Sequence, residues 1–221
     1  MIPRVLAHRG ASGHAPENTL AAFRAAVALG ADGVELDVRA TADGQLVVHH
    51  DPRIEGLGAI ATLRWEEAQR APGPSGPVPL LREALAVLGG LEVWVEVKAL
   101  PPETDAHLLE VLAAVPNPGR CAVHAFDHRL VARLGTRNPG LRRGVLSASY
   151  PLDPITPVRN AGAVALWQEW HLIDADLVRR AHDAGIEVIA WTVNQHRDAG
   201  ALAAMGVDAL CGNYPERLRV G

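Results

Sequence analysis

The chain alternates short apolar runs with helical stretches along almost its whole length, and few architectures accommodate that pattern. Val5 to His8 is the first run, followed by a loop and a helical stretch from Thr19 to Leu29. Pro16 precedes that helix, Asn18 or Thr19 can cap it, and Gly30 closes it. Gly33 to Val38 is the second run, and a hairpin through Ala42-Asp43-Gly44 leads into the run LVVHH. Segment 51–79, rich in Gly and Pro, reads mainly as loop with a helical turn at Arg64 to Ala71. The alternation then resumes. Strands are predicted at Leu91 to Val97, Cys121 to Ala125, Leu141 to Ser147, Ala163 to Trp167, Ile186 to Trp191 and Ala209 to Cys211. Helices are predicted between them, at Leu81 to Leu88, Glu103 to Val115, His128 to Leu134, Ile155 to Asn160, Ala175 to Ala184 and Asp198 to Met205.

Eight strands separated by helices, with no shift of composition to mark a linker, predict an α/β fold: one TIM (β/α)8 barrel spanning 1–221, with a hairpin and loop inserted after strand 2. The rival is an open doubly wound sheet. It usually has fewer strands and a GxGxxG turn after the first, whereas His8-Arg9-Gly10-Ala11-Ser12-Gly13-His14 lacks that spacing.

Composition removes several functional classes. Hydrophobic residues at 48% and charged residues at 21% are globular values, which excludes a disordered or fibrous chain. A formal net charge of −4 argues against a nucleic-acid partner. No apolar run approaches the roughly 20 residues that span a bilayer, and Met1 to Gly10 does not read as a secretory signal. The expectation is a cytoplasmic protein without stable membrane association. Cys121 and Cys211 sit in apolar runs and read as small buried hydrophobes.

In a (β/α)8 barrel the active site lies at the C-terminal ends of the strands, and the chemically capable residues gather there. His8 and Arg9 end the first strand, Glu35 and Asp37 the second, Glu96 and Lys98 the third, and Trp191 and Asn194 the seventh. His49 and His50 follow the hairpin. Glu35 and Asp37 are two apart, as are Glu96 and Lys98, so each pair shares one face of its strand. Val34, Leu36, Val38, Val95 and Val97 would then face the helices, while three carboxylates and one ammonium face the lumen.

Buried charge is costly unless paired or metal-bound. Three carboxylates suit a hard divalent cation, Mg²⁺ or Ca²⁺. The alternative is an ion-pair network in which Lys98 neutralises Glu96 and Arg9 or Arg39 serves the others. Lys98 stands out as the one lysine beside 20 arginines, a compact point charge where a guanidinium fork would fit poorly.

His8 and His50 are the proton-transfer candidates, since imidazole titrates near neutral pH. His49, one step along the same extended run, should face the other way and be structural. His14, His107, His128, His182 and His196 read as surface or capping residues, and His124 and His171 stay unassigned. An acid, a base, a cation and spare positive charge on Arg9 and Lys98 describe the splitting of an anionic ester, best a phosphodiester.

The sequence resembles the glycerophosphodiester phosphodiesterases over almost its full length. The matching segments are AHRGASGHAPENTLAAF at 7–23, GADGVELDV at 30–38, DGQLVVHHDP at 43–52, VWVEVK at 93–98, FDHRLVARL at 126–134, AHDAGIEVIAWTVN at 181–194 and GVDALCGNYPERL at 206–218. The resemblance implies a TIM barrel hydrolase that cuts small-molecule glycerophosphodiesters into glycerol 3-phosphate and an alcohol with Mg²⁺ or Ca²⁺. By motif position it implies that His8 and His50 are catalytic, that Glu35, Asp37 and Glu96 hold the metal, and that Arg9, Lys98 and Trp191 bind substrate. Three departures stand out: Arg53-Ile54-Glu55 replaces an Arg-Thr-Thr stretch, the segment before Pro79 is short, and Gly212-Asn213 replaces Thr-Asp before Tyr214. A lysophospholipase D on the same barrel is a rival favoured by the mildly apolar segment 54–63, and a binding module without catalysis is another.

Overall fold

The structure, a computed structural model, describes residues 2–70 and 77–220. In chain order the elements are β1 (Arg4–His8), α1 (Leu20–Ala28), β2 (Gly33–Ala40), β3 (Leu46–Val48), β4 (Arg53–Ile54), β5 (Gly58–Ala59), α2 (Trp65–Ala68), α3 (Leu81–Leu88), β6 (Glu92–Ala99) and α4 (Asp105–Ala113). They continue with β7 (Cys121–Ala125), α5 (His128–Arg137), β8 (Arg142–Ser147), α6 (Thr156–Asn160), β9 (Ala165–Glu169), α7 (Ala175–Asp183), β10 (Glu187–Trp191), α8 (His196–Met205) and β11 (Ala209–Gly212). Parallel pairing runs β1-β2-β6-β7-β8-β9-β10-β11 and returns from β11 to β1, so these strands close a barrel. β3 pairs antiparallel with the end of β2, Val38 opposite Val48, as the hairpin reading expects.

Residues 51–70 are more ordered than a loop. Arg53 pairs with Ala59 and Ile54 with Gly58 in a small ribbon. Ile54, Ile60, Ala68, Val78 and Leu80 bury against Val47, giving the insertion an apolar core of its own. Only scattered side chains supply that core, so the sequence shows no periodicity there. The expected helical turn is the short α2, and its last residue, Ala71, lies outside the described residues.

Period-two alternation holds on the strands that matter. Val34, Leu36, Val38, Val93, Val95 and Val97 lie in the apolar layer between sheet and helices. Leu6, Trp94, Leu146, Trp167, Ile189 and Cys211 fill the lumen. Gly144 makes room for the two indoles: a Cβ there would lie 2.9 Å from Trp167 and 3.0 Å from Trp94. The foot of the lumen is sealed by charge from alternate strands. Arg142 reaches Glu92 at 2.6 Å and Glu187 at 2.8 Å, and Arg4 reaches Glu187 at 2.6 Å. Because that end is closed by ion pairs and the middle by indoles, the opposite end of the barrel is the one left to chemistry among the described residues. Cys121 and Cys211 are buried free thiols, as expected.

Candidate active site

At the C-terminal end of the barrel the strands deliver Glu35, Asp37 and Glu96 to one small volume. All three are buried, and one oxygen of each lies within 4.8 Å of the others. Neighbouring strands in register make this possible, since Asp37 on β2 stands opposite Glu96 on β6. Lys98 Nζ lies 2.6 Å from Glu96 Oε1 and 3.1 Å from Asp37 Oδ1. A register irregularity after Val38 brings Arg39 opposite Ala99 and leaves Lys98 bulged towards the acids.

Arg9 approaches from the turn after β1. Its Nε lies 3.1 Å from Asp37 Oδ2, and its Nη1 donates to both oxygens of Glu17 at 2.9 Å. Arg9 adopts a left-handed backbone, φ 55°, which aims its N–H at Glu35 Oε2, 3.1 Å away. A non-glycine residue holds that conformation at a cost, here offset by the contacts it enables. Asn18, also left-handed at φ 58°, donates to Asp37 Oδ2 at 2.7 Å and accepts from the Asp37 N–H at 3.2 Å. It therefore holds an acid and does not cap α1; Thr19 caps, accepting from the Ala22 N–H at 3.1 Å.

Ion pairing alone does not neutralise the cluster, because three carboxylates face two cations. Burial, reinforced by the charges of Asp37 and Glu96, pushes Glu35 well above the usual carboxylate range. Burial likewise raises Glu96, against the pull of Lys98 and with the push of Asp37. Burial works on Asp37 too, but Lys98 and Arg9 outweigh it and hold that carboxyl below its ordinary value. Glu35 Oε1 is buried with no hydrogen-bond donor among the described residues. An all-oxygen donor set, short of positive charge and with one oxygen unsatisfied, fits a hard divalent cation.

His8 sits beside this cluster, its Nε2 4.0 Å from Glu35 Oε2. Its Nδ1 meets the Asn213 side-chain oxygen at 2.7 Å. That oxygen can only accept, so Nδ1 carries the hydrogen and Nε2 of the neutral ring is left as a base. Burial first, and Arg9 second, lowers the His8 pKa to about 4. Asn213 is itself held, its N–H donating to Asn194 Oδ1 at 2.8 Å. Gly212 before it is obligatory, since a Cβ there would run into the Val193 carbonyl oxygen.

His50 lies at the rim, on the segment that follows β3. The His49 N–H donates to the Asp37 carbonyl at 3.0 Å, and Arg39 donates from Nε and Nη2 to the His50 carbonyl at 2.9 and 2.7 Å. Arg39 thus serves a backbone group and not a carboxylate. His50 Nδ1 meets Asp51 Oδ1 at 2.8 Å, which presents Nε2 as its free nitrogen. The His49 ring turns to the Arg53 carbonyl, 3.3 Å away. Trp191 stands at the mouth in edge contact with Phe126, ring centres 5.7 Å apart.

His8, Arg9, Glu35, Asp37, Glu96 and Lys98 therefore form one connected group, with His50 and Trp191 on the rim. Sequence reasoning misses Asn213 and the orienting role of Asn18. Asn213 directly follows the last barrel strand, so the end-of-strand criterion used for the other residues reaches it too.

Residues 8–217 match the model of the Glycerophosphoryl diester phosphodiesterase family. A glycerophosphodiester phosphodiesterase of Caldanaerobacter subterraneus subsp. tengcongensis is 30% identical over 231 residues, covering 97% of this chain and 95% of its own. An Oleispira antarctica phosphodiesterase, solved in complex with the product sn-glycerol-3-phosphate, superposes with a TM-score of 0.89 at 28% identity, covering 98% of this chain and 95% of that one. A glycerophosphodiester phosphodiesterase from Agrobacterium tumefaciens gives a TM-score of 0.84 at 25% identity, covering 99% and 100%. Among the described residues no helix is long and apolar enough to cross a membrane.

Proposed function

This chain belongs to the glycerophosphoryl diester phosphodiesterase family, and from that premise we propose that it hydrolyses glycerophosphodiesters to glycerol 3-phosphate and an alcohol with the help of one divalent cation, Mg²⁺ or Ca²⁺. The observation that carries the reading is the convergence of Glu35, Asp37 and Glu96 on one volume beside Lys98, Arg9 and His8.

Glu35, Asp37 and Glu96 would hold the cation. When bound it supplies Lewis-acid stabilisation of charge on the phosphoryl oxygens. Lys98 and Arg9 steer the anionic diester to the cluster and stabilise charge that develops on it. Arg9 is suited to this, because Nε and Nη1 are anchored to Asp37 and Glu17 and the guanidinium plane is fixed. His8, neutral near pH 7, accepts at Nε2 a proton from the attacking oxygen, that of water or of a substrate hydroxyl whose cyclic phosphate a water then opens, as that oxygen bonds to phosphorus. The bond from phosphorus to the alcohol oxygen breaks, and His50 delivers a proton from Nε2 to that oxygen. Asp51 keeps the other His50 nitrogen occupied, as Asn213 does for His8. Trp191 and Phe126 wall the mouth on the side of β7 and β10 and would pack against the glycerol or its substituent.

The test is release of glycerol 3-phosphate from glycerophosphocholine by the purified enzyme. EDTA should abolish release, and Mg²⁺ or Ca²⁺ should restore it. Release that persists undiminished after EDTA would remove the cation from the scheme, and no release with either metal would move the substrate to another diester.

A further inference from the structure

His124 plays no part in the hydrolytic scheme, yet it occupies the lumen directly beneath the acidic cluster. It lies on β7 opposite Glu96 and is only 1% exposed. Trp167 flanks its ring at 4.2 Å between centres, and Trp94 meets it edge-on at 5.6 Å. The two indoles thereby fix its plane. Neither ring nitrogen has a hydrogen-bond partner among the described residues.

Buried polar atoms without partners are uncommon and call for an explanation. Here the orphans are complementary. His124 Nε2 lies 3.9 Å from Glu35 Oε1, the one oxygen of that carboxylate that also lacks a donor. The other Glu35 oxygen is already held by the Arg9 N–H. A gap of 3.9 Å exceeds an N–H···O bond by less than an ångström, a distance that a small rotation of the carboxylate closes.

We propose that His124 is a positioning residue for Glu35: its Nε2–H holds Oε1 after a small rotation of the carboxylate, and so fixes how that carboxylate is presented to a divalent cation. With Arg9 on one oxygen and His124 on the other, Glu35 has a single orientation. Partners of this kind, bonded to a metal ligand and not to the metal, commonly change affinity by about 10- to 100-fold. The inference rests on the cation reading under Proposed function.

The experiment measures Ca²⁺ and Mg²⁺ binding calorimetrically to EDTA-stripped enzyme without substrate. His124→Phe keeps the aromatic packing and removes the N–H. His124→Gln offers an amide N–H near the original Nε2, while His124→Asn is one bond too short to reach. Circular dichroism checks each fold. The Phe and Asn variants should weaken binding about tenfold, and Gln should stay within about threefold of the native enzyme. Should Phe fail to fold, the contrast of Asn with Gln decides the question. Unchanged affinity in Phe or Asn, or equal losses in Asn and Gln, would overturn the proposal. If the native enzyme itself binds neither cation, the cation reading falls and this role falls with it, a result seen before any variant is made.

Discussion

His8 and Asn213 stand 205 positions apart in the chain and meet ring nitrogen to amide oxygen at 2.7 Å. The contact places the hydrogen on Nδ1 and leaves Nε2 beside Glu35 as the only nitrogen able to take a proton. A neutral partner, unlike a carboxylate, adds no charge to a ring that burial already keeps neutral. Replacing His8 or His50 by Ala should lower kcat by about 10²- to 10⁴-fold while leaving the circular dichroism spectrum and cation affinity nearly intact. Near-native rates in either variant would remove that histidine from proton transfer.

Asn213→Asp puts an anion against His8. An anion favours the imidazolium, so the His8 pKa should rise from about 4 towards neutrality. The acidic limb of kcat/KM, read as a pH profile, should then move to higher pH, with less base available at about pH 6. A limb that stays in place would mean that His8 is not the group titrating there.

Lys98 bridges Glu96 and Asp37 from a position 13% exposed. Lys98→Met leaves the buried Glu96 without its cation while Asp37 keeps Arg9, and should cost roughly 3 kcal/mol of stability in a urea titration, as breaking a buried pair usually does. Lys98→Arg should not restore the native KM, because the fork cannot occupy the site of a point charge between two carboxylates. Native KM and stability in both variants would show the ammonium to be dispensable.

Thermal unfolding of the EDTA-stripped enzyme should depend on pH in a stated direction. Glu35 and Glu96 have raised folded pKa values, so the stability they contribute is complete below the unfolded carboxylate value and is lost as pH rises through the folded values. His8 acts oppositely: its contribution is present above its unfolded value and is lost as pH falls towards about 4. Added Ca²⁺ or Mg²⁺ competes with protons for the two glutamates. The gain in Tm on adding cation should therefore widen from about pH 6 to about pH 8, and a gain independent of pH would count against these ligands.

Arg39 clamps the His50 carbonyl with two hydrogen bonds from one guanidinium. Arg39→Ala should lower kcat about tenfold with little change in cation affinity, since it loosens the backbone that carries His50 without touching the acids. Equal losses in kcat and cation affinity would place Arg39 in the metal cluster instead.

The sequence by itself determined the barrel and the inward acids, because both rest on local periodicity. Eight apolar runs spaced by helical stretches leave little choice of architecture, and a two-residue spacing of Glu35 with Asp37 fixes their face whatever the neighbours are. It also marked Lys98, through its singular chemistry. Tertiary structure alone decided the partners. Asn213 reaches His8 only because β11 returns to pair with β1 and closes the barrel. Asn18 reaches Asp37 through the turn after β1, and His124 lies under Glu35 because β7 packs in register beside β6. The packing of Ile54, Ile60 and Ala68 likewise needed the partner face of Val47. The physical reason is common to all four: a side chain's period follows from its own strand, whereas hydrogen bonds and shifted pKa values depend on which distant atoms share its volume once the sheet has closed.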